Sequence, residues 1–149
     1  MNRLWLAVGQ IIFWFGRPVL ILMLRGSSRS RVLVESGEYV LLIKNWIGDG
    51  TWSLPGGGIH SGETSREAVR RELFEETKLD LALNDLRQVG NYSFKQGRLH
   101  FKYILFTATI KRRQQPRGGW PEIAEARWFK RSELGSLKLG DDCLQALRS

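Results

Sequence analysis

The segment that decides the fold runs from Gly57 to Leu79 and reads GGIHSGETSREAVRRELFEETKL. Its glutamates Glu72, Glu75 and Glu76 stand at i, i+3 and i+4, so on a helix they project from one face. Like charges at that spacing repel each other and destabilise an isolated helix. A hard divalent cation bound by carboxylate oxygens is the compensation that this arrangement predicts. A solvated, acidic helix surface is the alternative interpretation of such a run of charge.

A glycine-rich turn precedes the predicted helix and favours a site over a solvated surface. The turn Leu54–Gly58 reads LPGGG, and glycines let the backbone approach an ion or a phosphate that a side chain would block. The helix is predicted over Thr64–Thr77, with Thr64 and Ser65 as the candidates for its N-terminal residue. Leu73 is one of the apolar residues that would pack this helix on a core.

The spacing of the segment resembles the signature of the Nudix hydrolases, G-x5-E-x7-R-E-U-x-E-E-x-G-U, in which U is an aliphatic residue. The matching positions are Gly57, Glu63, Arg71, Glu72, Leu73, Glu75, Glu76 and Leu79. Lys78 is the one departure, because it stands where the signature has glycine. A glycine there closes the helix at a position where a positive φ is common, so a lysine costs roughly 1 kcal/mol. We expect this lysine to contact none of the expected ligands and the site to stay intact.

The resemblance implies an α/β/α sandwich with a mixed β-sheet and with the signature helix on one face. It also implies hydrolysis of a nucleoside diphosphate linked to another group, X, with Mg²⁺ or Mn²⁺ as cofactor. The metal would bridge carboxylates and pyrophosphate oxygens and would lower the pKa of a bound water. The residues that the resemblance assigns to the metal are Gly56, through its carbonyl, and the side chains of Glu72, Glu75 and Glu76.

Two catalytic roles follow from the same resemblance. Arg71 is expected to orient the carboxylates through a bidentate ion pair, with Glu63 as the favoured partner. A glutamate near the metal would act as base toward the attacking water. Because members of the family differ in the origin of this base, Glu122 and Glu125 are further candidates.

Composition is typical of one globular domain. The chain has 149 residues, of which 42% are hydrophobic and 26% charged, and this length can bury a sizeable core. The formal charge of +8 favours anionic partners and leaves nucleotides, RNA and lipid head groups open. The single cysteine, Cys143, excludes an intramolecular disulfide and agrees with a cytoplasmic location.

Residues 1–26 differ from the domain predicted over residues 27–149. They form an apolar extension, and as a helix the run Leu4–Phe15 would need burial on every side. That run is too short to span a bilayer of about 30 Å, and the longer apolar stretch contains Arg17. Attachment to the cytoplasmic membrane, packing on the domain and packing across a homodimer interface remain as alternatives.

The other elements are predicted from alternation, turn residues and caps. Strands are predicted at Arg31–Glu35, Tyr39–Lys44, Leu86–Phe94, Leu99–Ile110 and Glu125–Phe129, with a short one at Trp52–Leu54. Asp141 is predicted to cap a terminal helix that reaches Leu147. The loop Lys111–Gly119, KRRQQPRGG, either steers polyphosphate or RNA or is a solvated hairpin tip.

Three function classes follow, of which the first is favoured. They are a metal-dependent pyrophosphohydrolase acting on a nucleotide-type small molecule, a Nudix-fold module that senses a nucleotide without cleaving it, and a membrane-associated adaptor that works through residues 1–26. For the hydrolase, nucleoside triphosphates, nucleotide sugars and capped or triphosphorylated RNA ends all remain open as substrates.

Overall fold

The structure is a computed structural model that describes residues 28–96, 99–119 and 122–148, together with Val8. The predictions for residues 1–26 therefore lie outside the described residues, apart from that single position. Within the described part of the chain, no helix combines the length and the apolar character needed to cross a membrane.

Five strands form one mixed sheet in the order β3-β4-β1-β2-β5. The strands are β1 (Ser28–Ser36), β2 (Tyr39–Asn45), β3 (Arg87–Gln96), β4 (Leu99–Thr109) and β5 (Ile123–Lys130). β1 pairs in parallel with β4, whereas β1–β2, β2–β5 and β3–β4 are antiparallel. The predicted first hairpin is confirmed, and Gly37 supplies the positive φ of 59° in its turn.

Helices cover both faces of the sheet. The helices are α1 (Ser65–Thr77) and α2 (Asp141–Ala146), with 3-10 helices at Leu83–Asp85 and Arg131–Ser136. α1 packs Leu73 against Val32 and its neighbours on one face, and α2 packs Cys143 near Leu33 on the other. Because successive strand residues point to opposite faces, β1 contributes to both cores. The predicted α/β/α sandwich with a mixed sheet is confirmed.

Two local predictions near α2 were wrong. Gly140, and not Asp141, is the N-cap residue of this helix, because the cap precedes the first helical residue and Asp141 is already helical. The predicted strand Trp52–Leu54 is reduced to isolated bridges, with Ser53 opposite Ile43 and Trp52 opposite Leu139. Its backbone instead exchanges hydrogen bonds with Ile43 and donates one to the carbonyl of Lys138.

The two ends of α1 agree with the predictions. Thr64 is the N-cap: its hydroxyl accepts from the backbone N–H of Glu67, whose carboxylate accepts from the N–H of Thr64 in return. At the other end Lys78 adopts the left-handed conformation, with φ of 62°, and its N–H donates to the carbonyl of Phe74. The helix therefore closes as a glycine would close it, at the steric cost of a side chain.

We expect Lys78→Gly to raise the free energy of unfolding by about 0.5–1 kcal/mol, because glycine adopts this conformation without a Cβ penalty. Urea unfolding followed by circular dichroism measures the change. Lys78→Ala is the control, since it removes the same charge but keeps the Cβ and is expected not to stabilise. Equal stabilisation by both substitutions would show that the lysine charge, and not the backbone, is responsible.

Candidate active site

The glycine turn lies against the start of β1. Val32 N–H donates to the carbonyl of Pro55, and Ser30 N–H donates to that of Gly57, both at 2.9 Å. Gly56 has φ of 135°, and a Cβ there would overlap the Ser30 carbonyl, so the position requires glycine. These bonds fix the turn beside the glutamate-bearing face of α1.

The three glutamates predicted from the helical spacing meet at one cavity of about 270 Å³. The residues that line it are Glu72, Glu75, Glu76, Lys78, Gly119, Glu122 and Ile123. The expectation that Lys78 contacts none of the ligand residues was wrong, because its Nζ also donates to the backbone carbonyl of Glu75 at 3.3 Å. Of the two additional candidate bases, Glu122 lines this cavity. Glu125 does not line it and lies on β5 opposite Lys44.

Arg71 connects the acidic residues of the signature. Its Nε donates to Glu63 Oε2 at 3.2 Å and its Nη2 to Oε1 at 2.8 Å, which confirms the predicted bidentate pair. These bonds lower the pKa of Glu63 to about 2, and the N–H of His60 adds to the effect. Nη1 of Arg71 also donates to Glu72 at 2.9 Å and to Glu75 at 3.4 Å.

Glu76 is the buried member of the acidic group, with 8% of its surface exposed. Its Oε2 accepts from the N–H of Gly56 at 2.8 Å. Burial raises the pKa of Glu76 to about 8, and the Arg31 cation and the Gly56 hydrogen bond oppose that shift only in part. Near neutral pH, a positive charge placed beside Glu76 would therefore favour the ionised form of its carboxyl group.

The carboxylates are gathered but not arranged as a ligand set. Among the residues that the structure describes, no group of three His, Cys, Asp or Glu side chains is placed to hold a metal ion. Glu72 and Glu75 turn toward Arg71, while Glu76 accepts from the turn. A metal would have to draw the first two carboxylates away from the guanidinium.

Sequence reasoning missed the buried ion pair that supports the turn. Arg31 Nη1 donates to the carbonyls of Leu54 at 3.0 Å and Gly56 at 2.5 Å. Its Nε lies 3.7 Å from Asp142 Oδ2, and that oxygen also accepts from Leu54 N–H at 3.0 Å. Burial raises the pKa of Asp142, against the attraction of Arg31. The available signal was an arginine at the head of an apolar strand, in RVLVE.

Comparison with known proteins places the chain in a family. The NUDIX domain model matches residues 19–146. Nucleoside triphosphatase NudI of Salmonella agona (strain SL483) is 30% identical over 115 residues, which cover 68% of this chain and 80% of that protein. The RNA pyrophosphohydrolase of Erythrobacter litoralis (strain HTCC2594) is 32% identical over 105 residues, covering 59% of this chain and 64% of that one.

Solved structures share the fold. The NUDIX domain of Shewanella oneidensis NrtR, complexed with ADP ribose, aligns with a TM-score of 0.72 at 20% identity, over 82% of this chain and 84% of that one. The chain belongs to the Nudix family and is a hydrolase acting on phosphoric anhydride bonds. Hydrolases of this family generally use divalent metal ions.

Proposed function

We propose that the protein is a Mg²⁺-dependent pyrophosphohydrolase that cleaves a nucleoside diphosphate linked to another group, X. The cavity shared by Glu72, Glu75, Glu76 and Glu122 carries this proposal. Similarity to NudI favours nucleoside triphosphates as substrates, and similarity to an RNA pyrophosphohydrolase adds triphosphorylated RNA ends.

The donor atoms fit a hard divalent cation. Carboxylate and carbonyl oxygens are the ligands that Mg²⁺ prefers, and we assign them to the three glutamates and the carbonyl of Gly56. A carbonyl oxygen has two lone pairs, so its bond from Arg31 leaves one for the metal. Gly57 leaves space for the Glu72 carboxylate, because a Cβ at this position would overlap it.

Arg71 can release Glu72 and Glu75 without losing all of its partners. Its bidentate pair with Glu63 and its bond to the Gly58 carbonyl, at 3.0 Å, both lie outside the ligand set. The guanidinium therefore stays fixed when the two carboxylates turn toward the cavity. We infer that Arg71 binds Glu72 and Glu75 while no metal is present, and that it does not contact the substrate.

The reaction breaks one P–O bond of the pyrophosphate. When bound, the metal supplies Lewis-acid stabilisation of phosphate charge and lowers the pKa of a bound water. Glu122 has an exposed carboxylate on the same cavity, and we assign it to accept the proton of the attacking water. The water oxygen bonds to phosphorus, the bridging oxygen leaves with the electron pair, and two phosphorylated fragments result.

A nucleotide panel assayed with Mg²⁺, with Mn²⁺ and with chelator tests the proposal. We expect turnover of at least one nucleoside triphosphate or nucleoside diphosphate derivative with metal, and none with chelator. Hydrolysis in ¹⁸O-labelled water identifies which phosphorus is attacked. Thermal stabilisation by a nucleotide without turnover of any panel member would favour the sensing module and overturn the proposal.

A further inference from the structure

A second cavity, of about 640 Å³, lies on the loop between β4 and β5 and is lined by positive charge. Four cations line it: Lys111, Arg112, Arg113 and Arg127. The other lining residues are Ser36, Gln114, Gln115, Pro116 and Trp128. No aspartate or glutamate is among these residues. Within the described residues, none of the four cations forms an ion pair with a carboxylate, so their charge is available to a ligand.

The loop is held against the sheet by specific contacts. The guanidinium of Arg113 stacks on Tyr39, 3.5 Å from the ring centroid, which leaves its N–H edge free to donate. Trp128 Nε1 donates to the carbonyl of Gln114 at 2.8 Å, and Pro116 is buried. These contacts hold the loop backbone and the Arg113 side chain against the sheet, while the side chains of residues 111–115 remain exposed.

The same loop continues to the carboxylate cavity. Arg117 N–H donates to the carbonyl of Thr77 at 2.9 Å, and Gly119 N–H to that of Glu76 at 3.0 Å. Gly119 then lines the carboxylate cavity itself. Gly119 follows Arg113 by six positions, which is at most about 22 Å of extended chain. The loop therefore leads from one cavity to the other, and a substrate would have to be longer than a mononucleotide to occupy both.

We propose that this basic cavity binds the phosphodiester backbone of a single-stranded RNA whose 5′ end occupies the carboxylate cavity. Regularly spaced phosphates are the ligand that matches a cluster of cations without carboxylate partners. A concave site formed by this loop together with β1 and β5 suits a single chain better than a flat lipid surface. The inference rests on the proposed function for the site of hydrolysis, but RNA binding can be measured without turnover.

The test uses 5′-hydroxyl RNA, which contains no phosphoric anhydride bond, with the full-length protein and fluorescence anisotropy. The variant carries Lys111→Gln, Arg112→Gln and Arg113→Gln. The control carries Arg87→Gln, Lys102→Gln and Arg148→Gln, exposed cations outside both cavities. At about 50 mM salt we expect at least about 10-fold weaker binding by the variant and near wild-type binding by the control. The variant's log–log salt slope should be shallower by about 2.

Two further measurements complete the test. Affinity should rise with RNA length from one nucleotide to about ten, and hydrolysis of mononucleotides by the variant should match that of wild type. If Arg113→Gln disturbs folding through loss of its contact with Tyr39, the Lys111→Gln, Arg112→Gln double variant replaces it.

Several results would overturn the inference. The first is an equal loss of RNA affinity in the variant and in the control, and the second is RNA that binds no more tightly than a mononucleotide. The third is complete displacement of RNA by tripolyphosphate at the concentration at which a mononucleotide would bind. The fourth is a variant that loses binding to anionic lipid vesicles while it keeps its affinity for RNA. If the wild type hydrolyses no nucleotide, the proposed function fails, whereas loss of RNA binding in the variant alone would still support the basic site.

Discussion

The Glu75→Gln, Glu76→Gln double variant is expected to lose nucleotide hydrolysis by on the order of 10³-fold or more. Both side chains line the carboxylate cavity, and replacing them removes two anionic oxygen donors from the ligand set we propose. A steady-state assay at saturating Mg²⁺ measures kcat, and titration with Mn²⁺ followed by electron paramagnetic resonance measures metal binding directly. We expect both to fall together.

Glu125→Gln is the matched control, because this glutamate lies on β5 outside the cavity. It should retain wild-type turnover and metal binding. Glu122→Gln should instead lower kcat with little change in Mn²⁺ affinity, as expected for a base that is not a principal ligand. Full activity in the double variant would disprove the assigned site.

In the metal-free protein, Glu76 is expected to make the free energy of unfolding depend on pH. The pKa of Glu76 in the folded state, about 8, lies above its ordinary value of 4.5, so between these pH values the folded state holds a proton that the unfolded state has lost. The free energy of unfolding should therefore fall as pH rises through that window, by on the order of a few kcal/mol. Glu76→Gln should remove this part of the pH dependence, since its amide oxygen can still accept from Gly56 N–H.

Urea unfolding in chelator, at several pH values between about 5 and 9, tests this expectation. At the upper end of the range the Glu76→Gln variant should be more stable than wild type although it is less active. Identical pH profiles for wild type and variant would show that Glu76 does not hold its proton in the folded state. The comparison also separates loss of activity from loss of folding.

Asp142→Asn is expected to lower the free energy of unfolding by about 3–5 kcal/mol, the cost of breaking a buried ion pair by removing one partner. The carboxylate accepts from the backbone N–H of Leu54 and of Cys143 and faces Arg31, which is itself buried. An amide cannot accept through both of its terminal atoms, so one N–H would lose its acceptor, and the buried guanidinium would lose its negatively charged partner.

Asp141→Asn is the adjacent control and should change stability by no more than about 0.5 kcal/mol, because Asp141 is not part of the buried pair. Chemical denaturation at neutral pH measures both. Equal effects would mean that helix-terminus electrostatics, and not the buried pair, determine the result.

Predictions from local spacing agree best with the structure. The glutamates at i, i+3 and i+4 share one cavity because helix geometry alone brings them together. The same holds for the cap at Thr64 and for the left-handed Lys78. The predictions at Asp141 and at Trp52–Leu54 were wrong, because tertiary contacts of α2 and the glycine turn decide the structure there.

The sequence by itself determined the family, the acidic helix face and the type of reaction, since these depend on residues within one turn and one helix. Only the tertiary structure decided that Glu122 joins the cavity, that Arg31 and Asp142 support the turn, and that a basic loop runs up to the glutamates. These contacts join residues far apart in the chain. Their distances are set by the order of strands in the sheet and by the packing of α1 and α2 on its two faces, which local periodicity does not encode.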